Sequence, residues 1–177
     1  MNQFTLSLEL NLGQVVCDNC KQNDQFVSHG FVYKNLNQGK TIITGKRLFC
    51  ANRWQHSGCG STVRLYLAEQ IPTLVYSTEQ MTTFLRALLA CNSIQQAYKS
   101  ATNTDDPRNA YRWLNKLTNK LTHYRVFVKK PTIKTSSTIH FSTRRLQLLL
   151  PVINTIFLAL GEQACRDYQF NHQQPFI

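Results

Sequence analysis

Four cysteines in the N-terminal third have the types and spacing to hold a metal ion. Cys17-Asp18-Asn19-Cys20 leaves a two-residue gap, the interval at which both sulfurs of one turn reach a single ion about 2.3 Å away. Cys50 and Cys59 form a second pair with eight residues between them, so a small loop must bring them together. Cys17, Cys20, Cys50 and Cys59 as thiolates would make a tetrahedral Zn²⁺ site with a structural role, because a four-sulfur shell leaves no position open for substrate. His56 lies in the second loop and is an alternative fourth ligand in place of one thiolate. Buried free thiols or a disulfide are the competing readings. The chain shows no secretory leader, which points to a reducing cytoplasm where disulfides are rare. Cys91 and Cys165 fall singly on apolar helical stretches and read as core residues.

The charge balance points to a polyanion. Twenty Lys+Arg stand against nine Asp+Glu, a formal net charge of +11. The excess is concentrated: ten Lys/Arg lie from Arg108 to Arg145, and no acid occurs between Asp106 and Glu162. A solvated surface ordinarily mixes signs, so this distribution favours a nucleic acid over a merely soluble basic surface.

The acids argue against a two-metal nuclease or transposase, which needs several convergent carboxylates. Asp18 sits inside the first cysteine turn, Glu79 in a helix's first turn, Asp105 and Asp106 at a helix start, and Glu162 and Asp167 on the polar side of the last helix. Cys-His chemistry has little support with the cysteines spent on metal and the five histidines scattered. The expectation is a protein that is not an enzyme.

The elements that must position these groups follow from periodicity and caps. Phe4, Leu6, Leu8, Leu10 and Leu12 alternate with polar residues, predicting a strand with one buried face. His29–Lys34 and Thr41–Phe49 read as two strands around the turn Asn35–Gly39, carrying the chain from the first cysteine pair to the second. After Pro72 the pattern becomes helical. Ser77 with Gln80 is a capping box ahead of Met81, Phe84, Leu85, Leu88 and Leu89, and that helix should run to about Cys91. Asn92-Ser93 offers a stop and a new cap before Ile94, Ala97, Tyr98 and Ala101. Asp105-Asp106-Pro107 opens a third helix, with Pro in its first position, whose apolar stripe is Ala110, Trp113, Leu114, Leu117 and Leu121. Tyr124–Pro131 looks extended. Thr132–Thr138 reads as a linker or wing, and Ser142 or Thr143 caps a long apolar segment kinked at Pro151. Asn171–Pro175 reads as a polar tail. No run reaches the ~18 continuous apolar residues of a bilayer span.

The stretch Ser77–Leu121 has the layout of a helix-turn-helix. Arg108, Arg112, Lys116 and Lys120 recur every fourth residue on the third helix, a cationic ridge offset from its apolar stripe. Like charges so spaced weaken an isolated helix, a cost that an anion lying along the ridge would offset. In the major groove, Arg108, Asn109 and Arg112 would approach base edges. Asn115, Lys116 and Lys120, with Arg125, Lys129 and Lys130 beyond, would lie nearer the phosphates. The turn Thr102–Asp106 is longer than in the tightest form of the motif.

Cys17-x2-Cys20, His29-Gly30-Phe31, Arg47-Leu48-Phe49-Cys50, Gly58-Cys59-Gly60, Ser93-Ile94, Ala97 and Tyr111-Arg112-Trp113-Leu114 together resemble the zinc-ribbon plus helix-turn-helix proteins of bacterial insertion sequences and transposons, over roughly residues 15–121. The resemblance implies a structural zinc at the four cysteines and DNA binding by the helices, at transposon ends or in control of the element's expression. It departs from the pattern in the Cys50–Cys59 gap and the Thr102–Asp106 turn.

The expected architecture is α+β: an N-terminal strand and zinc ribbon over residues 1–72, a helix-turn-helix over 77–122, and an extended segment, kinked apolar helix and tail over 123–177. The expected function is non-enzymatic duplex DNA binding for a mobile element, in the cytoplasm at the nucleoid and off the membrane. The apolar residues from Leu146 to Leu160 suit a homodimer or packing within the chain, and a transposition or other nucleoprotein partner is the further expectation. The alternative is a component of a larger nucleoprotein complex that binds RNA or single-stranded DNA, with Tyr111, Trp113, Tyr124 and Phe127 as candidates for stacking on bases.

Overall fold

The structure, a computed structural model, describes residues 2–9, 11–36, 39–53, 55–72, 74–128 and 144–177, the side chains of Asn2 and Arg144 excepted. These residues make a mixed α+β protein with strands β1 (Asn2–Thr5), β2 (Phe26–Asn35), β3 (Thr41–Cys50) and β4 (Thr62–Leu67). Helices α1 (Thr78–Leu89), α2 (Ile94–Thr102), α3 (Arg108–Asn119), α4 (Leu121–Val128), α5 (Arg144–Leu160) and α6 (Ala164–His172) follow. The chain divides into two compact units, Met1–Val75 with Gln169–Pro175, and Tyr76–Tyr168 with Phe176–Ile177. The stretch 123–177, read from sequence as one segment, contributes to both.

The first unit is a four-stranded sheet in the order β1-β4-β3-β2. β2 and β3 form the expected antiparallel hairpin, β3 and β4 are also antiparallel, and β1 lies parallel to β4. The sequence reading had no strand at Thr62–Leu67, yet β4 is central. Its Val63 and Leu65 alternate into the core with Phe26, Leu48, Cys17 and Cys50. Gly45 of β3 is required by close approach, because a Cβ there would lie 2.0 Å from the Leu65 carbonyl oxygen.

The N-terminal strand is shorter than its alternation predicted. It stops at Thr5, where the Thr5 hydroxyl donates to the Ser7 carbonyl at 2.8 Å and Leu6 is left 48% exposed. Such local side-chain bonds compete with the ladder, and Leu12 falls in a 3-10 turn capped by Asn11. The outer edge of β1 is closed by Gln173, whose side chain accepts from the Phe4 N–H at 2.7 Å and donates to the Phe4 carbonyl at 3.0 Å. Gln169, fully buried, donates to the carbonyls of Ala68 and Gln70 at 2.8 and 3.1 Å.

In the second unit the capping box at Ser77 and Gln80 is present, and Ser93 with Gln96 makes another. α1 ends at Leu89, short of the expected Cys91, which sits in the left-handed region at φ +64°. At the third helix Pro107 occupies the cap position itself, and an Asp106 carboxylate oxygen accepts from the Arg108 N–H at 3.1 Å. Ala110, Trp113, Leu114, Leu117 and Leu121 are all buried as the stripe required. Ser77→Ala removes one cap bond and is expected to cost about 1 kcal/mol, read as a lowered midpoint in helix-monitored thermal denaturation.

Two expected segments differ. Residues 124–128 are helical: Leu121 and Tyr124, one turn apart, are buried and anchor α4, so packing overrides the strand preference of Val126, Phe127 and Val128. The expected polar tail from Asn171 is in part the last turn of α6, which runs to His172. The linker or wing at Thr132–Thr138 and the caps at Ser142 and Thr143 lie outside the described residues. α5 contains Pro151 as expected, and the Thr155 hydroxyl donates to the Pro151 carbonyl at 3.0 Å. The helical run Arg145–His172 has the length to cross a bilayer and a mean hydropathy of 1.5 over an 18-residue window, 44% of which is buried inside the protein. Leu149, Leu150, Ile153 and Ile156 within it are wholly buried.

Candidate metal centre and basic helix face

The first cysteine turn is closed by backbone bonds from Lys21 N–H to the Cys17 carbonyl at 2.7 Å and from Cys17 N–H to the Gln22 carbonyl at 2.8 Å. Lys21 takes φ +60° to allow it. The second turn begins at the last residue of β3 and ends just before β4. Gly58 N–H donates to the Ala51 carbonyl at 2.6 Å and Gly60 N–H to the Cys50 carbonyl at 2.9 Å. The eight-residue gap thus folds back on itself and delivers Cys59 beside Cys50.

The four sulfurs converge, all lying within 4.8 Å of one another. Cys17 and Cys59 are 3.7 Å apart, as are Cys20 and Cys50. A tetrahedron with metal–sulfur bonds of about 2.3 Å has edges of about 3.8 Å, whereas a disulfide needs about 2.05 Å. The spacing therefore fits four ligands around one ion and not two disulfides. The cluster is made of the four cysteines, and His56 is not part of it.

The polar surroundings suit thiolates. Cys59 N–H donates to the Cys50 sulfur at 3.3 Å, and the Ser61 hydroxyl lies 2.8 Å from the Cys59 sulfur and 3.6 Å from that of Cys17. The Ser61 hydroxyl, followed by the Asn19 side chain, pulls the Cys59 thiol down to about 5. Burial pushes Cys17 up, but hydrogen bonds from the Cys20 backbone and Ser61 outweigh it and the net direction is down. Burial dominates at Cys50 and pushes it up to about 12. Four thiolates at this separation repel, so complete ionisation calls for a cation at the centre. Ser61 is a residue the sequence reading passed over; its place two residues beyond Cys59 was the available signal.

Gly58 has no room for a side chain. A Cβ there would lie 2.3 Å from the Ala51 carbonyl oxygen and 2.6 Å from the Cys50 sulfur. Gly58→Ala is expected to displace that sulfur and weaken metal retention by about 10–100-fold, the range for changes just outside a ligand shell. Competition with a chromogenic chelator measures it.

The predicted nucleic-acid residues that the structure describes belong to the second unit. Arg108, Arg112, Asn115 and Lys116 are exposed on α3 and Asn109 is half-buried. Arg108 pairs with Asp106 at 2.6 Å, while Arg112 donates to the Asn109 side-chain oxygen at 3.4 Å. Lys120 is half-buried, and desolvation followed by the charge of Lys116 lowers it from the ordinary lysine value. Arg125 is exposed on α4, and Lys129 and Lys130 lie outside the described residues. Arg145 of α5 joins the group: it donates to the Asn115 side-chain oxygen at 2.8 Å. With Asn115, Thr118 and Asn119 it lines a shallow concavity of about 370 Å³. Sequence reading missed this because the partners are 30 residues apart.

No protein-family model, curated protein or solved structure matches this chain. What the chain does is therefore read from the sulfur cluster and the basic helix.

Proposed function

We propose that this protein is a non-enzymatic, sequence-preferring duplex-DNA-binding protein held together by a structural zinc ion, and that it serves a mobile genetic element as a transposition accessory or regulator. The observation that carries the reading is the solvent side of α3. Arg112, Asn115 and Lys116 are exposed there, opposite a buried stripe of Ala110, Trp113, Leu114 and Leu117. No acid follows Asp106 until Glu162. In this reading α2 and α3 form a helix-turn-helix with α3 in the major groove, and the two cysteine turns with β2, β3 and β4 form a zinc ribbon. Zinc suits an all-sulfur tetrahedral shell better than hard cations, which prefer oxygen ligands.

Arg112 is the leading base reader. Arg108 is already paired with Asp106, whereas Arg112 donates to a neutral amide, the Asn109 side chain. Arg112→Ala is expected to cost about 1–3 kcal/mol of binding and to relax preference at one base position; Lys116→Gln weakens all sequences evenly and lowers the salt slope by about one. Selection from a random duplex pool at about 0.15 M salt, with RNA and single strands as competitors, tests the reading: an enriched motif supports it, and enrichment lost to the competitors overturns it. Burial of Leu149, Leu150, Ile153 and Ile156 supports α5 as a core helix; a cytoplasmic, nucleoid-bound location is part of the DNA-binding proposal. Leu148 and Leu158, 49% and 79% exposed, are where a homodimer would form; a monomer by light scattering at tens of micromolar overturns that part.

The RNA or single-strand reading loses two of its four aromatics on α3 and α4. Trp113 is 2% and Tyr124 0% exposed, which leaves Tyr111 exposed and Phe127 half-buried.

A further inference from the structure

Phe31 and Tyr33 stand two residues apart on β2, so their side chains leave the same face of the sheet. Both are exposed, 41% and 61%, with ring centroids 6.4 Å apart at an interplanar angle of 68°. Across the hairpin Lys46 is the register partner of Phe31, and Ile43, 42% exposed, is that of Tyr33. Directly opposite residues of an antiparallel pair share a face, so two rings, an aliphatic side chain and a cation make one patch. The register shifts on either side of Phe31, between Ser28 and Phe31 and between Val32 and Tyr33, break the regular ladder of this edge strand. Such irregularities re-aim side chains and discourage strand addition. From Gln25 through Ala68 the chain has six cations, Lys34, Lys40, Lys46, Arg47, Arg53 and Arg64, and no acid. An occupant must therefore offer flat apolar faces along a polyanion.

We propose that Phe31 and Tyr33 form a stacking platform for the unpaired bases of a single-stranded DNA segment, with Lys46 beside them to meet its phosphates. Stacking needs no base-edge readout and tolerates any sequence. The choice of DNA as occupant rests on the α3 reading; the platform itself does not use α3.

The test uses the full chain and four labelled 12-mers: oligo-dT, oligo-rU, the oligo-dT backbone with abasic spacers, and a duplex. The wild type is expected to bind oligo-dT about tenfold or more tighter than the abasic strand. Phe31→Ala with Tyr33→Ala erases that margin and keeps duplex binding, while Arg112→Ala does the reverse. Metal stoichiometry and circular dichroism verify that the variants fold, and the comparison of oligo-dT with abasic strand in the wild type needs no variant. Equal affinity for those two strands, an unchanged margin in the folded double variant, or preference for oligo-rU over oligo-dT overturns the proposal. A wild-type protein that does not bind the duplex, or duplex binding unchanged by Arg112→Ala, with the oligo-dT margin intact, sinks the α3 reading and supports the platform.

Discussion

Cys50→Ala is expected to release the metal and unfold the sheet unit. Cys50 is completely buried at the end of β3, packed with Leu48, Val63, Leu65 and Phe26, and its sulfur is 3.7 Å from that of Cys20. Apparent binding free energies of structural zinc are about 10–16 kcal/mol at neutral pH, as large as the whole net stability of a domain, about 5–15 kcal/mol. A three-sulfur remnant would not keep that contribution, and a small sheet whose core includes the ligands themselves has little to replace it with. If the cluster holds zinc as proposed, elemental analysis should fall from one ion per chain to none, with the β-sheet signal lost in circular dichroism. Cys59→Ala should also release the metal although Cys59 is exposed, whereas His56→Ala should retain it. A folded, metal-loaded Cys50→Ala protein would refute the assignment.

Trp113→Ala carries the second large effect. Its ring centroid lies 4.7 Å from Tyr76, 5.2 Å from Tyr98 and 5.3 Å from Phe84, each near edge-to-face, and the side chain is 2% exposed. Tyr76 and Tyr98 further share a hydroxyl hydrogen bond of 2.7 Å, and the Asn109 side chain donates to Tyr76 at 3.5 Å. Removing the indole leaves a cavity where α1, α2 and α3 meet, at a cost of about 3–5 kcal/mol. The expected result is a helical unit that melts at much lower denaturant and, on the proposed function, loss of duplex binding, because α3 has lost its seat. Tyr111→Ala, two positions earlier on the exposed side at 53%, should change stability by no more than about 0.5 kcal/mol. Urea denaturation of the pair measures the contrast.

The sequence was most legible where local chemistry and final packing agree. The cysteine spacing, the capping box at Ser77, the cap at Ser93 and the α3 stripe are short-range patterns, and the structure has each of them. It was least legible where a distant partner decides. β4 is a short run whose role depends on β1, some sixty residues earlier in the register Asn2↔Arg64. The alternation from Phe4 to Leu12 looks like a longer strand until Thr5 and Ser7 bond locally. Residues 124–128 have strand-like composition and become helical because Leu121 and Tyr124 are buried. Arg145 entered the basic face only through its contact with Asn115. Phe31 and Tyr33 were legible only as part of a strand; their exposure, on an edge strand with register shifts, is known from the structure.

The clasp of Gln173 on Phe4 gives the order of synthesis a consequence. β4 is complete at Leu67, but Gln169 and Gln173 leave the ribosome about a hundred residues later, roughly 5–20 s at ordinary elongation rates. Throughout that interval the nascent sheet presents the Phe4 N–H and carbonyl with no Gln173 amide to meet them, the exposed edge on which strands from other chains add. All four cysteine ligands of the proposed metal site are available once Cys59 emerges, whereas closure of the edge waits for translation to pass residue 173, so slow decoding between them lengthens the time in which aggregation competes with folding.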